Sequence, residues 1–227
     1  MGAQPRQGAP LRFGTGTEEE PRGIDLIPAL PAACPSAEGP CAQARIRLGQ
    51  LDDLPLPGSG GTWTRWRALA ALGREDLSLA RIAEGHADAR AILVELERPD
   101  LLRQGQLLGV WAADPGDLRA TRTRDGWRLQ GAKRWCSGST LLDRALVTAT
   151  ADDGPRLFAL NPRVATAEPG SWQPMGMAST DSHRHTFDDV VASEGAAVGG
   201  PGAYVERPGF GHGGCGVAAC WWGGAIG

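Results

Sequence analysis

Gly131-Ala132-Lys133-Arg134-Trp135-Cys136-Ser137-Gly138 is the stretch whose reading decides the fold. Trp135 and Ser137 stand two apart, so on a strand both side chains leave the same face. A flat aromatic wall with a hydroxyl beside it is what a planar, polar-edged ligand requires. A buried Trp next to a turn serine accounts for the pair equally well in isolation. The neighbouring segments therefore carry the decision.

Working outward, Leu107 to Ala112, Trp127 to Gln130, Ala145 to Thr150, Arg156 to Leu160 and Thr186 to Ala192 are short β-leaning runs. Asp125-Gly126 and Asp153-Gly154-Pro155 punctuate them as turns. Upstream the period lengthens. Leu79, Ile82, Ala83, His86, Ala87, Leu93 and Val94 recur at three- and four-residue steps, which predicts a helix from Asp76 to Glu97 with those residues on its buried face. Asp76 or Ser78 is its cap, and Pro99 lies just beyond its end. His86 reads as a core histidine, because no second metal ligand stands at helical spacing. Residues 1–61 are dense in Pro, Gly and Ala and read as irregular. Downstream, Val217 to Ile226 is apolar, with Trp221 and Trp222 and no charge, and reads as a helix that needs neighbours to cover it.

The 227 residues suffice for a buried core, and an apolar share of 41% with eight Trp is too rich for a disordered chain. A net charge of −3 and a pI near 5.8 leave no basic footprint, so neither nucleic acid nor an anionic membrane is an expected partner. Cys34, Cys41, Cys136, Cys215 and Cys220 are odd in number and irregular in spacing, which fits reduced thiols. Met1 to Pro10 has no apolar signal core and no run of about 18 apolar residues occurs, so the expected location is the cytoplasm.

Three other patterns carry less. Gly211-His212-Gly213-Gly214-Cys215-Gly216 spells a dinucleotide fingerprint, but no strand precedes it, and glycines for close helix packing are the better reading. Ser137 with His183 and His185 lacks the nucleophile elbow of a hydrolase. The two histidines share one strand face without a third ligand, which leaves them solvent-facing and the chain without a metal site.

Four segments in order resemble the acyl-CoA dehydrogenase family over more than half the chain. Leu72 to Ala80 followed by Glu84-Gly85-His86 is similar to the helix before its β-domain. Gly109-Val110-Trp111-Ala112-Ala113-Asp114-Pro115-Gly116-Asp117 is similar to its T-E-P-x-x-G-S-D loop. Gly131 to Gly138 is similar to its G-x-K-x-W-I-[ST]-N-[AG] strand. Trp172 to Met177 and Phe187-Asp188-Asp189-Val190 are similar to its closing segment, without the arginine of G-x-R.

The resemblance implies an α+β multi-domain fold: a helical part at 62–104, an antiparallel β-barrel-like domain at 105–192, and at 193–227 a linker and the truncated start of a C-terminal helical bundle. It implies FAD as cofactor, with Trp111, Ala113 and Asp117 of the loop and Trp135 and Ser137 of the strand around it, although Ala113 stands where the family has a hydroxyl donor. The reaction implied is α,β-desaturation of an acyl thioester such as an acyl-CoA, as in fatty-acid metabolism. Flavin monooxygenases share the scaffold, and a non-catalytic remnant that only packs against a partner is the remaining alternative. Tyr204-Val205-Glu206-Arg207-Pro208 resembles a Glu-Arg pair that some members carry on the first helix after the β-domain, which makes Glu206 the expected base and Pro208 part of a first helical turn. A second copy, or another chain completing the bundle, is the implied protein partner.

Overall fold

Asp76 divides two helices. At φ −162° it ends α2 (Thr62–Glu75), and its carboxylate accepts the Leu79 N–H at 2.7 Å to cap α3 (Leu77–Glu95). Both come from a computed structural model that describes residues 44–113, 117–139 and 141–227. The expectations for residues 1–43, with Cys34 and Cys41, and for Asp114, Pro115 and Gly116 lie outside the described residues. A short helix α1 (Leu48–Asp52) precedes α2, within the stretch read as irregular.

Helix α3 forms as its spacing predicts and ends on a left-handed residue. Glu97 has φ +56°, and Arg98 N–H reaches back to the Leu93 carbonyl at 2.7 Å, the six-to-one bond of a Schellman end. Two details differ from expectation. Val94 is 40% exposed rather than buried, and α3 is covered on nearly every side, Glu84 and Asp88 included. A helix sandwiched between a sheet and two other helices has no free polar face, so amphipathic spacing understates its burial.

The strands are β1 (Leu108–Trp111), β2 (Arg119–Thr123), β3 (Gly126–Cys136), β4 (Arg144–Ala151), β5 (Gly154–Leu160), β6 (Thr166–Ala167), β7 (His183–Ser193) and β8 (Ala197–Val198). They form one sheet in the order β6-β7-β3-β2-β4-β5-β8, with β1 on β4. Two expectations are corrected. The sheet is mixed, because β1 runs parallel to β4, as does β2 at the single pair Arg119 and Thr150. It is also open rather than barrel-like: the end strands β6 and β8 are two residues each and pair only inward, with β7 and β5.

Helix α4 (Ala203–Glu206) and helix α5 (Phe210–Ile226) follow. Helix α5 lies on α2 at near backbone contact. A Cβ on Gly223 would stand 2.0 Å from the Ala70 carbonyl oxygen, and one on Gly73 would stand 2.1 Å from the Cys220 carbonyl oxygen. Only glycine permits that approach. The far side of α5 leaves Trp221 and Trp222 exposed. Among the described residues no helix is long and apolar enough to cross a membrane.

Candidate functional site

A bulge near the end of β3 puts Trp135 on display. Strand register with β7 shifts between Lys133 and Cys136, and Trp135 takes φ +57°, a conformation that a bulky residue adopts only under constraint. Its neighbours are fixed: Cys136 is buried, and the buried Lys133 donates to Thr148 Oγ1 at 2.7 Å, tying β3 to β4. The indole itself is 51% exposed. The bulge thus holds a large apolar ring at the surface in a backbone conformation that costs energy.

Ser137 follows on a loop pinned to residues 177–182, with Gly138 N–H on the Thr180 carbonyl at 2.7 Å and Ser139 N–H on the Asp181 carbonyl at 3.1 Å. The Ser182 hydroxyl donates to Ser137 Oγ at 2.9 Å and meets Thr180 Oγ1 at 2.8 Å. Thr180 Oγ1 also donates to the Met177 carbonyl at 2.9 Å, so Ser137 belongs to a chain of three hydroxyls and is itself partly exposed. Trp111 is buried beneath this loop and its indole N–H donates to the Ser137 carbonyl at 3.0 Å. Trp111 supports the loop rather than presenting a face. Asp117 is exposed, and its carbonyl lies where a Cβ on Gly131 would stand, 2.2 Å away, which explains the glycine at φ +123°.

Beyond Trp111 the chain enters a second region. Val110, Ala112 and Ala113 form one wall of a pocket of about 250 Å³ whose other walls are Arg81, Glu84 and Asp88 of α3, Tyr204 and Arg207, and Phe210, Gly213, Gly214 and Val217 of α5. Arg207 is its anchor. Its Nη1 donates to Glu95 at 2.8 Å and its Nη2 to Asp88 at 2.9 Å. Burial opposes the charge, but Asp88 and Glu95 hold the guanidinium above its ordinary range. Gly213 leaves room for this pair, since a Cβ there would stand 2.8 Å from Asp88 Oδ1.

Glu84 is 5% exposed and receives Arg81 Nη1 at 2.8 Å on Oε2. Burial, reinforced by Asp88, raises its carboxyl to about 7 against the opposing Arg81, Arg65 and Arg207. Burial also pushes the Tyr204 hydroxyl up to about 12, so that it remains a donor at neutral pH.

Glu206 lies apart from these groups. Pro208 forces Arg207 into extended backbone, with ψ 145°, and this ends α4. Glu206 is left exposed beside Gly202 while Arg207 turns inward, so the two do not share a continuing helix, and Pro208 sits between helices rather than in a first turn. The histidines also differ from expectation. His185 is buried, not solvent-facing, and its Nε2 meets Ser139 Oγ at 2.5 Å, while burial, with His183 nearby, lowers it to about 4. His183 pairs with Asp181 at 2.9 Å. Ser139 is buried too, so this Ser-His contact has no access to a substrate. Among the described residues no cluster of three or more potential ligands could hold a metal. The glycines at 211–216 lie within α5 rather than in a phosphate turn, and close packing accounts for Gly213 and Gly216, whereas Gly211 and Gly214 face open space.

No family model and no curated protein match the sequence. Solved structures do. TdsC from Paenibacillus sp. A11-2, a dibenzothiophene monooxygenase, in its complex with FMN and indole, is 26% identical with a TM-score of 0.60, over 72% of this chain and 46% of that one. XiaF from Streptomyces sp., in complex with FADH2 and glycerol, is 22% identical with a TM-score of 0.57, over 70% and 44%. An FAD-dependent dehydrogenase is 16% identical with a TM-score of 0.63, over 81% and 59%. The fold is therefore one that flavin-dependent oxidoreductases use. The chain spans about half the length of these structures, and TdsC is the one among the three with more than a quarter identity.

Proposed function

We propose that this chain is the flavin-holding portion of a flavin-dependent oxidoreductase, with FAD as cofactor, whose substrate enters the pocket between α3, the chain leaving β1, and α5. The observation that carries the reading is the pair Trp135 and Ser137: a half-exposed indole at φ +57° beside a partly exposed hydroxyl. That donor set fits a flat heteroaromatic ring with acceptor atoms along its edge. When bound, the flavin supplies two-electron chemistry and, once reduced, reactivity toward dioxygen. Trp135 would wall the ring, and the Ser137 hydroxyl would hydrogen-bond to its edge. Trp111 holds the Ser137 loop next to Ala112 and Ala113, which belong to the pocket wall.

Monooxygenation of a small aromatic compound is the finer reading we favour. The pocket volume suits one or two rings, and the likeness to TdsC points the same way. Desaturation of an acyl thioester is the second reading, supported by the order of the four sequence segments. Under it the exposed Glu206 has no observed path to the pocket, whereas Glu84 lines it. Equilibrium titration of the 227-residue protein with FAD and, separately, FMN tests the shared reading. Quenched flavin fluorescence, lost in Trp135→Ala, is expected. Retention of neither flavin would support a non-catalytic packing role instead. With reduced flavin, oxygen and indole, one added oxygen atom in the product mass identifies the first chemistry; bleaching of bound flavin by butyryl-CoA identifies the second.

A further inference from the structure

We propose that Glu84 is the proton-transfer group of the pocket, and that the substrate it serves is a small neutral molecule carrying a single O–H or N–H on an apolar ring frame. This deepens the reading above, on which the pocket receives substrate.

The geometry supplies the argument. Glu84 lines the pocket with one oxygen, Oε2, held by Arg81 at 2.8 Å. No hydrogen bond engages Oε1 among the described residues, which leaves it to accept from a ligand. The other charges of the wall are matched: Arg207 spans Asp88 and Glu95, and Arg81 serves Glu84. A ligand anion would meet no uncommitted cation there, and a ligand cation would meet only carboxylates already held by an arginine. Val110, Ala112, Phe210 and Val217 add apolar surface to this half-open pocket, which suits a ring frame with one polar hydrogen. In the step itself the substrate X–H bond breaks, its electron pair stays on the substrate, and the proton passes to Glu84 Oε1. Return of the proton runs the reverse.

The groups that face Glu84 are Arg81 and Asp88 on its own helix, Arg65 from α2, Tyr204 and Arg207 from the segment before α5, and Cys220 from α5. Burial pushes the Cys220 thiol up to about 12, with Glu84 adding to the effect, and Tyr204 is likewise at about 12. Neither changes charge near neutrality. Glu84, raised to about 7, is the one in this set that does.

The test uses the 227-residue protein without added flavin and 2-naphthol as the probe. A carboxylate accepts an O–H more strongly than a carboxylic acid does, so 2-naphthol should bind roughly ten-fold more tightly at pH 8 than at pH 6. Glu84→Gln should bind it equally at both. In parallel, infrared spectra of protein carrying 13C-labelled glutamate should show one protonated carboxyl band that disappears as pH passes about 7 and is absent from Glu84→Gln. The infrared titration of the wild type needs no variant, so a poorly folding Glu84→Gln still leaves the proposal open to refutation. Wild-type binding that is flat with pH, or no glutamic acid band titrating near neutrality, overturns it. Flavin bound with flat naphthol binding refutes Glu84 alone; pH-dependent naphthol binding in a protein that takes no flavin refutes the flavin reading alone.

Discussion

Arg207 and Asp88 are 119 positions apart in sequence and 2.9 Å apart in space, and this pair fastens the segment before α5 to the middle of α3. The Arg207 side chain is 1% exposed and also serves Glu95. Truncation in Arg207→Ala strands two buried carboxylates, and loss of about 3–5 kcal/mol of stability is expected. Arg207→Lys keeps the charge but cannot fork to both acceptors, so its loss should be smaller. Guanidinium chloride unfolding midpoints of the three proteins measure this directly.

The fold tolerates alanine at one glycine of α5 and not at another. Gly223→Ala drives a methyl into the Ala70 carbonyl, and a loss of about 1–3 kcal/mol is expected even though alanine favours helix. Gly211, with nothing within 4 Å of its Cβ position, should accept alanine with no loss, or a gain of up to about 1 kcal/mol. Thermal denaturation of both variants gives the comparison, and equal destabilisation would contradict the close packing of α2 and α5.

Two buried groups work against each other as pH changes. His185 stays neutral down to about 4 while an unfolded histidine takes its proton near 6.5, so its contribution is complete above 6.5 and is lost as pH falls toward 4. His86, also lowered by burial, acts in the same direction. Glu84 holds its proton up to about 7 while the unfolded carboxyl releases it near 4.5, so its contribution is complete below 4.5 and is lost as pH rises toward 7. His185 and Glu84 are each worth about 3 kcal/mol across their windows. Between pH 4.5 and 6.5 the Glu84 loss offsets the His185 gain, so wild-type stability should rise only by what His86 adds, and Glu84→Gln should gain stability more steeply as pH rises. Urea melts at half-unit pH intervals decide it.

Trp135→Gly separates cofactor from fold. Glycine accepts φ +57° without strain, so the variant should be as stable as wild type or about 1 kcal/mol more so, yet should retain little flavin. A variant with full flavin content would remove Trp135 from the site.

Much of the architecture was legible from residue order. Asp76 as a cap, the α3 period, and five β-leaning runs all correspond to observed elements, with the first run one residue too long at each end and the helix one and two, because each rests on local chemistry that tertiary contacts do not reverse. Strand β2, Arg119–Thr123, was invisible: three polar or charged residues of its five face outward, and its sequence has no apolar alternation to read. The parallel partnership of β1 with β4 is a long-range fact that no turn signal encodes. In the site, spacing puts Trp135 and Ser137 on one strand face but leaves their role to the resemblance of the neighbouring segments, whereas Glu84 and Arg207 enter only as members of family-like segments and Asp88 does not enter at all. A signal was present. Glu84, Asp88 and Glu95, at intervals of four and seven, lie along one side of a helix, and a row of carboxylates facing apolar surroundings demands a buried cation. Glu206 drew attention through its neighbour, but the proline two places on sends the two side chains apart.

His86 receives the Leu108 N–H on Nδ1 at 3.1 Å and meets Asp52 through Nε2 at 2.9 Å, which fixes its tautomer and joins α1, α3 and the first residue of β1 at one imidazole. The Leu108 amide is thereby a single resonance that reports on the seam between helices and sheet. Its exchange with deuterium tracks the opening of that seam, and its nitrogen chemical shift registers the loss of the imidazole acceptor on acidification, one residue at a time and without any label on the helices.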